Sequence, residues 1–300
     1  MKNVSSQPEG ASLPLADGVP GTTVRLHPLL CGTSLAPPGW TFRHEGRGAA
    51  RRALGIGVPR SEWPQGPIGA FLIEHPSAGP ILIDTGLHPS AAEDLAESFG
   101  RVNAYFFRTL QTSPEQCLPA QLRARGVDPA EVKLALMTHL HVDHASAMSK
   151  LPAATFICSQ AEWQAATARF GVWSGYVKRQ LPDASRVRTI DMRSQSAEAP
   201  FSHTVDLLGD SSIKLIYTPG HTAGHMSVLV RIAGREALLA GDAIYTLRNL
   251  HEDILPWRTV GDALYRQSMR EIRAYMDRHP DTLLIPTHDT EVWEGLDDLY

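Results

Sequence analysis

The chain has 300 residues, 43% apolar and 20% charged, and 28 Lys and Arg against 32 Asp and Glu leave a formal charge of −4. So mild a balance excludes a polyanion-binding surface, and with it nucleic acid or an anionic membrane, as the main partner. Cys31, Cys117 and Cys158 stand far apart with no CxxC pair, which argues against a disulfide framework and for a reducing, cytoplasmic setting. No run approaches the ~18 apolar residues of a spanning helix, and the Ser-, Pro- and Gly-rich start lacks the apolar segment of a secretion signal.

Residues 1–22 read as a flexible arm, and a single domain is expected over 23–300. Regular structure starts near Thr23–Leu26. The Gly-, Pro- and Arg-rich stretch 31–67 reads as a long loop or lid, with Arg43, Arg47, Arg51, Arg52 and Arg60 forming a solvated face. Two apolar runs, Ile68–Glu74 and Pro80–Asp84, flank Ser77-Ala78-Gly79 and predict a hairpin. Pro89 opens a helix over Ser90–Phe99 that Gly100 ends. Glu131–Thr138 predicts a buried strand, Gln160–Phe170 a helix closed by Gly171, and 172–200 irregular chain. Strands follow at Ile213–Tyr217, Ser227–Ile232 and Ala237–Ala240. A helix over Asp262–Arg278 sets Tyr265, Met269, Ile272 and Met276 on one face, and a last strand occupies Thr282–Pro286. Strands in two batches, with helices between and after, point to sheets covered by helices on their outer sides.

The chemistry concentrates in Thr138-His139-Leu140-His141-Val142-Asp143-His144, which puts three imidazoles and a carboxylate in six residues directly after a buried strand. Alternate residues of an extended segment point the same way, so His139 and His141 share a direction, while Asp143 and His144 fall on the following turn. Imidazole nitrogen and carboxylate oxygen suit zinc and similar divalent ions, and this layout suits two adjacent metals better than one. Pro219-Gly220-His221-Thr222-Ala223-Gly224-His225, then Gly241-Asp242, then Thr287-His288-Asp289, each follow a predicted strand. Singly, a Gly-His is a turn and a Gly-Asp a helix cap. Together they converge at one sheet edge, as a rigid scaffold builds a metal site.

The order His139, His141, Asp143, His144, His221, Asp242, His288 resembles the metallo-β-lactamase superfamily of dinuclear metallohydrolases, over about residue 24 to the C-terminus. The resemblance implies an α/β fold, an αββα sandwich of two mixed sheets flanked by helices, with the metals at one edge. It implies that His139, His141 and His221 bind one metal, that Asp143, His144 and His288 bind the other, and that Asp242 bridges them. Zinc is the default, with iron, cobalt or manganese accepting the same ligands. Asp84 resembles the aspartate that steadies a histidine ligand; the blander reading is a turn cap before Thr85-Gly86. His225 matches no ligand position and reads as a turn residue or a support for a ligand.

Within the superfamily, Phe71-Leu72-Ile73-Glu74, Gly79 to Gly86, Asp242-Ala243-Ile244-Tyr245-Thr246 and His288-Asp289-Thr290-Glu291 are similar to quorum-quenching N-acyl-homoserine lactonases. That resemblance implies a lactone substrate, a metal-bridging hydroxide that opens the ring, Tyr245 directed at the substrate carbonyl, Asp143 as a proton shuttle, and a homodimer. Tyr245 is otherwise a buried aromatic with a satisfied hydroxyl. One departure is that Ala145-Ser146-Ala147 follows His144 where the family runs Ala-Gly-Gly, so the backbone there is less permissive. A thioester hydrolase of the hydroxyacylglutathione type shares the ligand pattern, but the acidic 289–300 stretch speaks against it; phosphotriester hydrolysis suits the same site. A non-catalytic binding module would need no bridging carboxylate. Trp40, Phe42, Phe106, Phe107 and Trp257 are the candidates for an apolar groove.

Overall fold

Apolar runs broken by short turns make the strands of a computed structural model that describes residues 7–15 and 18–300. Strands β1 (Glu9–Gly10), β2 (Arg25–Leu35), β3 (Gln65–His75), β4 (Gly79–Ile83), β5 (Leu134–Leu136), β6 (Thr155–Ser159) and β7 (Val187–Ile190) form one sheet, ordered β1-β7-β6-β5-β4-β3-β2. The β2–β3–β4 meander is antiparallel, and β4, β5, β6, β7 and β1 run parallel. Strands β8 (Thr204–Asp206), β9 (Ile213–Tyr217), β10 (Met226–Ile232), β11 (Arg235–Gly241) and β12 (Leu283–Pro286) form the second sheet, ordered β12-β11-β10-β9-β8, antiparallel except for the β11–β12 pair. The helices are α1 (Pro38–Thr41), α2 (Ala49–Ala53), α3 (Ser90–Glu93), α4 (Leu95–Phe106), α5 (Leu118–Ala124), α6 (Val142–Ala145), α7 (Gln160–Thr167), α8 (Leu247–Glu252), α9 (Asp262–Arg278) and α10 (Thr290–Glu294).

Successive strand side chains face opposite ways, and here both faces of both sheets are covered. Ile73, Ile81, Ile83, Leu136 and Ile157 meet Leu215, Val228, Val230, Leu239 and Ile285 in the layer between the sheets. Leu72, Leu82, Ala135 and Phe156 face outward onto Leu118 and Leu122 of α5 and Trp163 of α7. Ile216, Leu229 and Leu238 face Tyr265, Met269 and Ile272 of α9 on the opposite side. The layers run helix, sheet, sheet, helix, as expected. Double burial is why these strands read as unbroken apolar runs rather than as alternation. Among the described residues, no helix is long and apolar enough to cross a membrane. The three cysteines are free and buried.

Several expectations need correction. Residues 1–6 and 16–17 of the expected arm lie outside the described residues, but its described part is docked. Glu9 and Gly10 pair with Arg188 and Thr189, and the Ala11 and Leu15 amides donate to Thr189 and Leu207 at 2.9 Å each. Ala11, Leu13 and Leu15 pack on the inter-sheet core; their alternation was outweighed by the Ser/Pro/Gly composition around them. The 31–67 loop is shorter than read, because β2 runs to Leu35 and β3 starts at Gln65, with α1 and α2 between. Arg43 there is a clamp rather than part of a solvated face: Nε donates to Pro256 O at 2.8 Å and Nη1 pairs with Asp262 at 2.5 Å. The helix expected over Ser90–Phe99 is broken at Asp94 (φ −141°) into α3 and α4, and Gly100 (φ 75°) does end its helical stretch, with a further stretch running on to Phe106. The 172–200 stretch contains β7, and β6 and β8 were not foreseen.

Candidate metal centre

Each site segment leaves the C-terminal end of a strand at one shared edge. Asp84 follows β4, His139–His144 follow β5, His221 follows β9, Asp242 follows β11 and His288 follows β12. Two glycines allow the close approach. Gly220 sits at φ 141°, where a Cβ would come 2.3 Å from Tyr265 Cα of α9, and Gly241 (φ 58°) would meet His225 Nε2 at 2.6 Å.

The structure brings all seven expected ligands together. His139, His141 and His221 place ligand atoms within 4.8 Å of one another, as do Asp143, His144 and His288, and also His139, His144 and Asp242. Asp242 lies between the two sets. Its Oδ2 is 3.3 Å from both His221 Nε2 and His288 Nε2, and its Oδ1 is 3.3 Å from His144 Nε2. The donors fit divalent cations on a structural observation: His139 Nε2, His144 Nε2 and Asp242 Oδ1 are buried with no hydrogen-bond partner. Such orphaned atoms are costly in a folded protein unless something else satisfies them. His144 Nε2 and Asp242 Oδ1 approach without aligning.

The electrostatics separate the imidazoles. Burial, then the neighbouring imidazoles, holds His139 well below its ordinary range; burial holds His221 there too, and His141 at about 4. These three stand neutral, the form that binds a metal. Burial also disfavours charge on His144 and His288, but the Asp242 carboxylate heads the opposing groups and raises both. Asp242 is itself held well below the usual carboxylate range, because His288 and His144 outweigh its burial.

Neighbouring groups fix the ligand candidates. Asp84, in the left-handed region at φ 58°, accepts the Thr138 amide (2.8 Å), the Thr138 hydroxyl (2.7 Å) and His144 Nδ1 (2.8 Å). It thus holds the ring of a ligand candidate as well as the turn. His225 accepts the Asp242 amide on Nε2 at 2.9 Å, with Nδ1 2.9 Å from the Thr218 hydroxyl. Burial lowers its pKa to about 3, which keeps it neutral for that task. Tyr245 is buried with its hydroxyl 3.3 Å from His221 Nδ1 and its ring against His288. Burial, then Asp242, pushes its phenol well above 10, so it stays a donor.

Above the cluster opens a cavity of about 1450 Å³. His141, Asp143, His221, Asp242, Tyr245 and His288 line it, with walls that include Trp40, Phe42, Phe106 and Phe107. Trp257, expected in the groove, is not in the lining; its amide instead donates to Trp40 O at 2.8 Å and holds the wall. Phe170 and Trp173, 68% and 61% exposed at the rim, were missed: α7 stops at Thr167, short of the expected Phe170, and Trp173 in the stretch read as irregular was a usable signal. Of two further carboxylates, Asp289 stands in the closing motif without an assigned part, and Glu162 was missed. Asp289 accepts the Leu247 amide at 2.7 Å and caps α10 through Val292, which ties β12 to the Tyr245 loop. Glu162 on α7 is fully buried and hydrogen-bonded to the ligand loops.

This edge-on cluster of imidazoles and carboxylates between two helix-covered sheets agrees with the family comparison. The metallo-beta-lactamase superfamily profile matches residues 63–288, and the chain belongs to that superfamily. Within it, the chain is 31% identical over 229 residues to an N-acyl homoserine lactonase, AttM, of Agrobacterium fabrum, covering 76% of this chain and 83% of that protein. It is 26% identical over 232 residues to an N-acyl homoserine lactonase of Bacillus cereus, covering 76% of this chain and 84% of that one. In fold it is similar to a Bacillus thuringiensis AiiA variant with N-decanoyl-L-homoserine bound at the active site. That match has a TM-score of 0.71 and 21% identity, over 92% of this chain and 97% of AiiA. A dizinc quorum-quenching lactonase, AidC, matches with a TM-score of 0.62 and 14% identity, over 95% of this chain and 92% of AidC.

Proposed function

We propose that the chain is a two-metal hydrolase that opens the ring of N-acyl-homoserine lactones. The observation that carries this reading is the set of orphaned ligand atoms, His139 Nε2, His144 Nε2 and Asp242 Oδ1, beneath a large cavity with aromatic walls. His139, His141 and His221 would hold one ion, Asp143, His144 and His288 the other, and Asp242 both. Two such ions, when bound, make water nucleophilic near neutral pH and polarise a carbonyl. Tyr245, protonated and lining the cavity, donates a hydrogen bond to the lactone oxygen as charge develops on it. Asp143 also lines the cavity and carries a proton to the departing ring oxygen. The apolar walls take the acyl chain.

The curated relatives' names support the lactone substrate. The nitrogen–oxygen donor set supports zinc, as does the dizinc description of AidC. Three free, buried cysteines support a reducing, cytoplasmic setting.

The test is proton release from N-acyl-homoserine lactones of short and long chain by metal-replete protein, beside a chelator-dialysed sample whose metal content is measured. Turnover that is lost on chelation and returns with about two ions per chain is expected. Two ions without lactone turnover would overturn the substrate; turnover unchanged in the metal-free protein would overturn the mechanism.

A further inference from the structure

One buried carboxylate has no part in this scheme. Glu162, in the first turn of α7, is completely buried and does not line the cavity. Its Oε1 accepts the Leu140 amide and the Tyr176 hydroxyl, each at 2.9 Å, and its Oε2 accepts the Thr222 hydroxyl at 2.6 Å. Each partner sits beside a metal-ligand candidate. Leu140 stands between His139 and His141, Thr222 follows His221, and the Tyr176 ring lies 4.8 Å from the His141 ring. The His221 loop also presses on α7, since a Cβ on Gly224 would come 2.2 Å from the Glu162 amide. Three segments far apart in sequence are thus drawn onto the two oxygens of one carboxylate. Asp84, a different carboxylate, gathers His144 Nδ1 and Thr138, whose hydroxyl in turn stands 3.1 Å from His139 Nδ1, so it reaches both metal positions.

We infer that Glu162 is a positioning residue for the His139–His141–His221 trio, setting the affinity of that metal position and not of the other. This rests on the ligand assignment proposed above. A fully hydrogen-bonded buried carboxylate is hard to replace by an apolar side chain, because the Leu140 amide would be left without a partner. Glutamine can stand in: its carbonyl accepts from Leu140 and Tyr176, and its amide donates to the Thr222 hydroxyl.

The test is stepwise titration of metal-free protein with Co²⁺, followed by absorption and by competition with a chromophoric chelator. The wild type is expected to take two ions in separable steps. Glu162→Ala should weaken one step by about 10- to 100-fold and leave the other alone. Asp84→Ala, which reaches His144 directly and His139 through Thr138, should weaken both steps, and Glu162→Gln should recover most of the Glu162→Ala loss. Thermal melting shows whether Glu162→Ala folds; if it does not, Thr222→Val, which removes one of the three bonds, should weaken the same step by a smaller factor. Both steps weakened equally by the Glu162 or Thr222 substitution, or neither weakened in a folded variant, would overturn the inference while leaving the two-metal reading intact. A wild type that binds fewer than two ions would overturn the ligand assignment and the inference with it.

Discussion

Asp84 takes a left-handed backbone conformation at φ 58°, unusual for any residue but glycine, asparagine or aspartate, and turns both carboxylate oxygens to the segment that follows β5. It binds the Thr138 amide and hydroxyl and the outer nitrogen of His144. Asp84→Ala therefore frees the His144 ring and should lower metal affinity by about 10- to 100-fold, measured by chelator competition. Unchanged affinity would show that packing alone fixes that ring. Tyr245 differs in kind, because it holds no ligand through a strong bond; its hydroxyl is 3.3 Å from His221 Nδ1. Tyr245→Phe should keep the full metal content and lower kcat roughly a hundredfold, the scale of losing one donor to a developing negative charge. A loss of metal in this variant would assign Tyr245 to ligand support instead.

The seven ligand candidates were legible in the sequence because each carries its chemistry in its residue type and follows an apolar strand that the chain spells out plainly. Asp84 and Tyr245 were legible only by resemblance. Glu162 and Asp289 were not, because a carboxylate on a helix or next to a ligand reads as solvated until tertiary contacts bury it. The helix Asp262–Arg278 was read to the residue, since its apolar stripe is undiluted. β8 escaped because three residues carry too few positions to show a period, and β6 because Thr155 and Ser159 leave only Phe156-Ile157-Cys158 as an apolar run. The departure Ser146-Ala147 is harmless to the backbone: both residues have ordinary negative φ, −66° and −96°. The Ser146 hydroxyl is also used, accepting the His88 amide at 2.8 Å beside the site. Gly220 is the reverse case. At φ 141° and pressed on α9, it admits no side chain, so Gly220→Ala must displace either the His221 loop or the helix. We expect a loss of about 2 kcal/mol or more by denaturant unfolding, together with weaker metal binding. A variant as stable as the wild type would mean that the loop relocates without cost.

The two sheets meet the helices on their outer faces and each other through an apolar layer, but polar chemistry ties them at two opposite edges. At one, the ligand candidates come from both sheets: His139 to His144 from the end of β5, and His221, Asp242 and His288 from β9, β11 and β12. At the other, where β3 ends and β9 begins, fully buried His75 places Nε2 3.2 Å from both Asp210 Oδ2 and Ser212 Oγ. The second tie is complete in protein atoms alone. The first leaves three buried atoms unsatisfied, so its cohesion depends on cations that neutralise and join groups from both sheets. Bound ions stabilise the fold by mass action, about 2.7 kcal/mol per site at a hundred times the dissociation constant. Removal by chelator should therefore lower the melting temperature, and the loosening should be confined to one edge. Hydrogen exchange is expected to rise in 138–145, 218–225, 241–246 and 287–289 while 75–78 and 206–213 keep their protection, because the His75–Asp210 tie does not change. If both edges lose protection together on chelation, the sheets open as one cooperative unit, and the metal centre holds up the whole fold rather than one seam of it.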